Sequence, residues 1–529
     1  MWWWLACTRP EPCPSRADPD LDRPPPGRQV ALAPPLAIRD LRAQVAPGTA
    51  VRWEVDGAVA PWTGPIVPAR ALRPDQTWAA IVGGERAEVT IPEPVGGNVL
   101  LVVLDDVGIG NVRAYGIDPT APPTPTLDRL AAEGLTFRHA WSEPVCSPSR
   151  AALLTGRHPR RSGVGWIVDT GDDDGFLPLA EVTLPEALSE AWGPAYATSA
   201  IGKWHLAGPA APAWTTHPLD QGFGWFEGPL GNPSYSPGRG YLSWDEDLNG
   251  EVAVRTGYLT AETTDDALAR LTVMPEPWLL YVAYNAAHSP WIAPPNGPEP
   301  VDDSPRGLYD ATLVALDAEL GRLLDGLEPE LRARTTVIVV GDNGPPEQVV
   351  LPPFDPRQAK SSVHELGVRV PLLVTGPAVA HPGATTDAWV HLIDIVPTVA
   401  ELTGVPLGGP DEALALDREE RVPLDGRSFL AVLADPSAPG HDRVYTEGFF
   451  PNGRDAEWTI DRRALRAGAH KLQRASDGRD ELYHLDPGRP LDDGEDLLAS
   501  GPSRELRELA RALSAELDCL EEDLGARPR

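Results

Sequence analysis

The run Val99-Leu100-Leu101-Val102-Val103-Leu104 constrains this chain more than any other feature. Six apolar residues in a row suit a strand buried on both faces, which belongs inside a parallel sheet with helices on either side. Similar runs recur at 278–284, 335–340 and 372–375, and helical patterns at 125–134, 184–192 and 309–327 alternate with them. Such alternation predicts an α/β fold with a doubly wound sheet, whose ligands gather at the carboxyl ends of the strands.

The flanking segments read differently. Residues 1–28 are rich in proline and charge and read as a disordered tether or the remnant of an export signal. Leu5-Ala6-Cys7 has the form of the end of a lipoprotein signal, which makes Cys7 a candidate lipid anchor. Over 29–95, short alternating strands (50–57, 78–82, 87–91) with a candidate core Trp53 predict an Ig-like β-sandwich module. The catalytic region is expected over 96–422. A C-terminal α+β subdomain follows over 423–529, with strands at 443–447, 463–472 and 481–485 and an amphipathic helix near 503–520.

Composition narrows the partners. A net charge of −32 over 529 residues leaves no basic stripe for nucleic acid, so an anionic substrate must be held by local cations. Four scattered cysteines (Cys7, Cys13, Cys146, Cys519) do not make a disulfide framework. No stretch reaches the roughly 20 apolar residues of a transmembrane segment.

Chemistry concentrates in six places. Asp105-Asp106 ends the first buried strand, and Asp342-Asn343 ends that at 335–340. Adjacent carboxylates repel unless a cation neutralises them, and an all-oxygen set suits calcium or magnesium better than zinc. Lys203 and His205 stand two apart on an expected extended segment, spaced to face the same side with a point charge and a proton carrier. His288 follows the strand at 278–284, and Lys360 opens a Ser-, Gly- and Arg-containing loop. Cys146 begins Cys-Ser-Pro-Ser-Arg, with Arg150 one helical turn on, and Leu-Thr-Gly-Arg completes the run at Arg157.

These runs, with Gly202-Lys203-Trp204-His205-Leu206, resemble the signatures of the type I sulfatases of the alkaline phosphatase superfamily. The resemblance covers the chain from about Asn98 onward. It implies that Cys146 is oxidised to formylglycine by a maturation enzyme, and that one Ca2+ is held by Asp105, Asp106, Asp342, Asn343 and modified Cys146. It also implies that Lys203 and Lys360 bind the sulfate and that Arg150 orients the aldehyde hydrate. His205 would trigger sulfate release, and His288 would assist the leaving alcohol. The expected reaction is hydrolysis of an aryl or carbohydrate sulfate ester outside the cytoplasm. A formylglycine phosphodiesterase or phosphonate monoester hydrolase would share these parts, and a non-catalytic surface carbohydrate-binding protein is the reading from another class. His139, His158, His364, Glu365 and Arg369 are expected to be scaffold. Trp214, Trp225, Phe226, Tyr235 and Tyr241 are core residues or the lining of a sugar subsite.

Overall fold

The computed structural model describes residues 97–524 apart from 169–174, 212, 235, 296, 406–412, 415–421 and 455, together with strand residues at 41–42, 52–55, 58–63, 66–67, 77–82 and 85–90. The tether and the Cys7 anchor site lie outside the described residues.

A ten-stranded sheet organises the chain. Its order is Glu251–Thr256, Ser243–Leu248, Phe226–Gly228, Ala197–Gly202, Trp278–Ala283, Asn98–Leu104, Thr335–Gly341, Arg369–Thr375, Leu135–Trp141, Ala384–His391. The five strands from Phe226–Gly228 to Thr335–Gly341 run parallel, and Arg369–Thr375 alone among the next three runs against them. Asn98–Leu104 sits at the centre and is buried at every position. Its residues alternate between two cores. Val99, Leu101 and Val103 join one, and Leu100, Val102 and Leu104 the other. Helices Cys146–Thr155, Leu184–Trp192 and Ile395–Leu402 pack on the first face, with Pro125–Glu133, Leu259–Leu271 and Pro305–Asp325 on the second.

Local chemistry sets the helix starts. Thr183 caps Leu184–Trp192 and Glu186 returns a bond to its N–H, with Pro185 in the first turn. Ser304 and Pro305 open the long helix in the same manner, the Ser304 hydroxyl accepting from Gly307 N–H at 3.1 Å.

The C-terminal four-stranded antiparallel sheet is Arg443–Phe450, Ile460–Ala467, His470–Arg474 and Asp480–His484, covered by Arg504–Asp523. The expected single strand at 463–472 is two strands, because Gly468 adopts φ +59° and turns the chain into a hairpin. Ahead of the main sheet, Ala58–Thr63, Arg52–Val55, Thr77–Val82 and Glu85–Thr90 form an antiparallel sheet in that order, and Trp53 is buried in the same core as Val99. Among the described cysteines, Cys519 is disulfide-bonded and Cys146 is free and buried. No described helix is long and apolar enough to cross a membrane.

Candidate active site

Cys146 is the first residue of a helix buried along its whole length, Cys146–Thr155. Each small residue of the run has a local reason. Ser149 Oγ accepts from Glu143 N–H at 3.1 Å and donates to the Glu143 carbonyl, so the helix is latched to the segment before it. Ser147 Oγ accepts from Val168 N–H at 3.0 Å. Pro148 lies in the first turn, where no N–H is needed. Gly156 ends the helix at φ +68°, and a Cβ there would meet Leu424 and Val396 at 2.8 and 3.0 Å.

The nucleophile candidate faces His205, with Cys146 Sγ 3.3 Å from His205 Nδ1. Burial pushes the Cys146 thiol up, partly offset by the Lys203 and Lys360 ammoniums. Burial, then Lys203 and Arg150, push His205 well below its ordinary value, so the imidazole is neutral and able to accept a proton. Lys203 and His205 converge, but not by strand alternation. The strand stops at Gly202, and His205 takes a left-handed φ of +61°. Gly202 itself has φ +92°, and a Cβ would stand 2.2 Å from the Ala283 carbonyl, so only glycine lets Lys203 turn into the site.

Asp105, Asp106, Asp342 and Asn343 meet at the carboxyl ends of the two central strands. Asp342 Oδ1 accepts from Asp106 N–H at 3.1 Å, and Asn343 Nδ2 donates to Asp106 Oδ1 at 2.7 Å. Arg150 is wholly buried, donating to Asp342 Oδ2 at 2.8 and 3.1 Å and to the Lys203 carbonyl at 3.1 Å. Its hydrogen bonds therefore go to a carboxylate of the cluster and to a backbone carbonyl, and not to the side chain of Cys146. Lys203 Nζ lies 2.5 Å from Asp105 Oδ2, and Lys360 Nζ 2.5 Å from Asp106 Oδ1. Burial raises Asp106, but Lys360 and His288 outweigh it and hold the carboxyl below its ordinary value. For Asp342, burial and then Asp105 prevail over Arg150 and push it up.

The cluster fits a hard divalent cation. Asp105 Oδ1 and Asn343 Oδ1 are buried without hydrogen-bond partners, and the donor set is carboxylate and amide oxygen. Buried acceptors of that kind are costly unless something positive meets them.

His288 Nδ1 donates to the Ser289 carbonyl at 2.6 Å, which turns Nε2 toward Asp106 Oδ2 at 3.8 Å. Burial and then Lys360 lower its pKa. All ten candidate residues thus come together. Three tyrosines that the sequence did not single out as site residues support them. Tyr309 Oη donates to the Asp106 carbonyl at 2.9 Å, Tyr281 Oη lies 3.5 Å from Arg150, and Tyr241 Oη donates to the Asn285 and His288 carbonyls at 2.6 and 2.8 Å. Only the aromatic-rich stretch hinted at Tyr241; the others sit where a core residue is expected. Phe226 and Tyr241 are buried, Trp214 and Trp225 half-buried. Of the expected scaffold residues, Glu365 is held by Lys471 at 3.1 Å, His364 by Asp493 at 3.0 Å and Arg369 by the Arg138 carbonyl at 2.8 Å.

Trp204, between Lys203 and His205, is fixed by His217. Trp204 Nε1 donates to His217 Nδ1 at 3.1 Å, and His217 Nε2 donates to the Leu177 carbonyl at 2.9 Å. Burial pushes His217 from 6.5 down to about 4. Its folded value lies below the unfolded one, so the contribution of neutral His217 is intact above pH 6.5 and is lost as pH falls toward 4, by roughly 3 kcal/mol. Urea midpoints at pH 7.5 and 4.5 are expected to fall less steeply with acid in His217→Gln than in the parent. Identical slopes would contradict this account.

Residues 97–405 match the sulfatase family model. The chain is 34% identical to arylsulfatase A of Homo sapiens over 340 residues, covering 59% of this chain and 64% of that protein. It is 30% identical to arylsulfatase G of Mus musculus over 499 residues, covering 82% and 89%. Among solved structures, that of Ps i-CgsB in complex with k-i-k-neocarrahexaose superposes with a TM-score of 0.64 at 24% identity, covering 80% of this chain and 92% of the other.

Proposed function

This chain belongs to the sulfatase family, enzymes that hydrolyse sulfate esters, and on that premise we propose that it cleaves an aryl or carbohydrate sulfate monoester through a nucleophile made from Cys146. The observation that carries the reading is the convergence on Cys146 of a neutral histidine, two ammoniums and an oxygen-only cation cluster.

Conversion of Cys146 to formylglycine supplies an aldehyde hydrate, with one hydroxyl to attack sulfur and a second whose deprotonation releases sulfate. Asp105, Asp106, Asp342 and Asn343, with modified Cys146, would hold Ca2+, which supplies Lewis acidity at the sulfuryl oxygen. The residues of the chain then divide the work. Lys203 and Lys360 present the two ammoniums for the sulfate oxygens. Arg150 fixes the Asp342 carboxylate, and so acts on the nucleophile by placing its neighbour. His205 takes the proton at Nδ1, the atom that faces residue 146. His288 exchanges its proton at Nε2, because Nδ1–H is committed to the Ser289 carbonyl. Neutral imidazoles suit proton acceptance near neutral pH, and His288 gives the leaving alcohol a proton at Nε2 once that nitrogen has taken one from solvent.

An extracytoplasmic location belongs to the same reading, supported by the β-rich module read over 29–95 ahead of the catalytic domain at 96–422 and the subdomain at 423–529. Peptide mass spectrometry across residue 146, on protein made with a formylglycine-generating enzyme, is expected to find the peptide about 18 Da lighter than its cysteine form. Turnover of 4-nitrophenyl sulfate should exceed that of bis(4-nitrophenyl) phosphate and phenyl phosphonate esters. Active protein with unmodified cysteine, or a preference for the phosphorus esters, would overturn the proposal.

A further inference from the structure

A second group of ligand atoms lies apart from the ten residues above. Glu143, His158 and His391 are buried, and one atom of each is without a hydrogen-bond partner: Glu143 Oε1, His158 Nδ1 and His391 Nε2. These three atoms face one another. Glu143 Oε1 is 3.6 Å from His158 Nδ1 and 3.6 Å from His391 Nε2, and all three fall within 4.8 Å. None of the distances is a hydrogen bond. A point equidistant from the three lies roughly 2.0–2.4 Å from each, against zinc–nitrogen and zinc–oxygen bonds of about 2.0–2.2 Å.

We infer that Glu143, His158 and His391 form a second, structural metal site for Zn2+ or a similar borderline transition ion. Two imidazoles and one carboxylate make a donor set unlike the oxygen cluster beside Cys146, and one that such ions prefer over calcium. The carboxylate is already oriented by outer contacts, since Glu143 Oε2 accepts from Thr446 Oγ1 at 2.8 Å and from Glu447 N–H at 2.9 Å. His158 is held by its backbone N–H to Asp425 Oδ2 at 3.0 Å and by the edge of the Tyr445 ring. His391 Nδ1 lies 3.3 Å from Ile393 N–H. Ligation at Nε2 places the ring proton on Nδ1 and ends that long contact, exchanging one weak bond for relief of three unsatisfied atoms.

The site has a position that gives it a task. Glu143 stands three residues before Cys146 and His158 three residues after the last residue of the helix that Cys146 begins. His391 ends the edge strand, and Thr446 and Glu447 belong to the C-terminal sheet. One ion would therefore staple both ends of the nucleophile segment to the C-terminal half of the chain.

The full-length protein, stripped with chelator and dialysed against Zn2+ with calcium in excess, is expected to retain about one zinc per chain by elemental analysis and to melt at a higher temperature than the stripped form. Glu143→Gln and His158→Ala should each lose that zinc and the zinc-dependent shift. Because His391 also caps the turn after its strand, its replacement is not used. Should both variants fail to fold, Co2+ added to the parent decides the matter, with the strong visible bands of a four-coordinate N/O site expected. Absence of retained zinc in the parent, retention unchanged in both folded variants, or only the weak spectrum of six-coordinate Co2+ would overturn the inference in favour of a buried water or shared proton among the three side chains.

Discussion

Cys146→Ala is expected to reduce turnover of an aryl sulfate by about 10^4-fold or more, while the protein remains folded. The two halves of this expectation rest on different observations. Loss of activity follows because the proposed nucleophile is gone and the side chains around it have other tasks: His205, Lys203, Lys360 and Arg150 carry or move charge around residue 146. Retention of the fold follows because the sulfur is one small buried atom in a helix whose attachments are made by Ser147, Ser149 and Arg150. A truncation of that size costs about 1 kcal/mol. Steady-state rates and thermal melting of parent and variant provide the check. A variant keeping more than about a hundredth of the parent rate would remove Cys146 from the chemistry. A variant that is inactive because it is unfolded would show in the melting curve and would not count for the mechanism.

Asp342→Ala should damage both stability and activity. Its carboxylate receives two bonds from a guanidinium with no exposure to solvent, whereas the next carboxylate, Asp105, stands 3.7 Å from the same group. Removing Asp342 relieves its repulsion with Asp105, which favours the variant. The unpaired Arg150 weighs more, because stripping one partner from a buried ion pair costs about 3–5 kcal/mol. The net result expected is a loss of several kcal/mol in urea unfolding, together with loss of the thermal shift that calcium is expected to give the parent. Activity should become undetectable, since a proposed cation ligand and the anchor of Arg150 disappear together. Arg150→Met in the Asp342→Ala background is expected to recover much of the stability and none of the activity, which separates the electrostatic penalty from the chemistry. Failure of the second change to restore any stability would argue against the ion pair as the cause.

The sequence made the scaffold legible because the central strands are apolar on both faces. The run ending at Asp105-Asp106 could be little else, and its neighbour ending at Asp342-Asn343 has the same form, so both halves of the oxygen-donor cluster were visible in one dimension. Lys203 and His205 do come into one site, but the reason read from their spacing was incomplete. Spacing of two on a strand aims side chains together, but here Gly202 and the left-handed His205 do the aiming, and backbone of positive φ at a non-glycine residue leaves no mark in a sequence. The hairpin at Gly468 was missed because a single glycine in a mixed run of Ala, Leu, Arg and Lys looks like an interruption before it looks like a turn. The Glu143, His158 and His391 group was not legible at all. Its members lie on separate segments, none has a spaced motif, and His158 read as scaffold beside the signature. Only the fold of the sheet edge brings His391 to the two ends of the helix.

Burial of Cys146 also sets an order of events. The residue has no accessible surface, and every residue of its helix is enclosed. A protein catalyst must drape several residues of its target through its own cleft, so it can reach this thiol only while the segment is extended and the surrounding layers are absent. Under the proposed conversion of Cys146, the folding rate of the chain would act as a clock on that step: a molecule that closes before it is converted would keep a buried thiol and stay inactive.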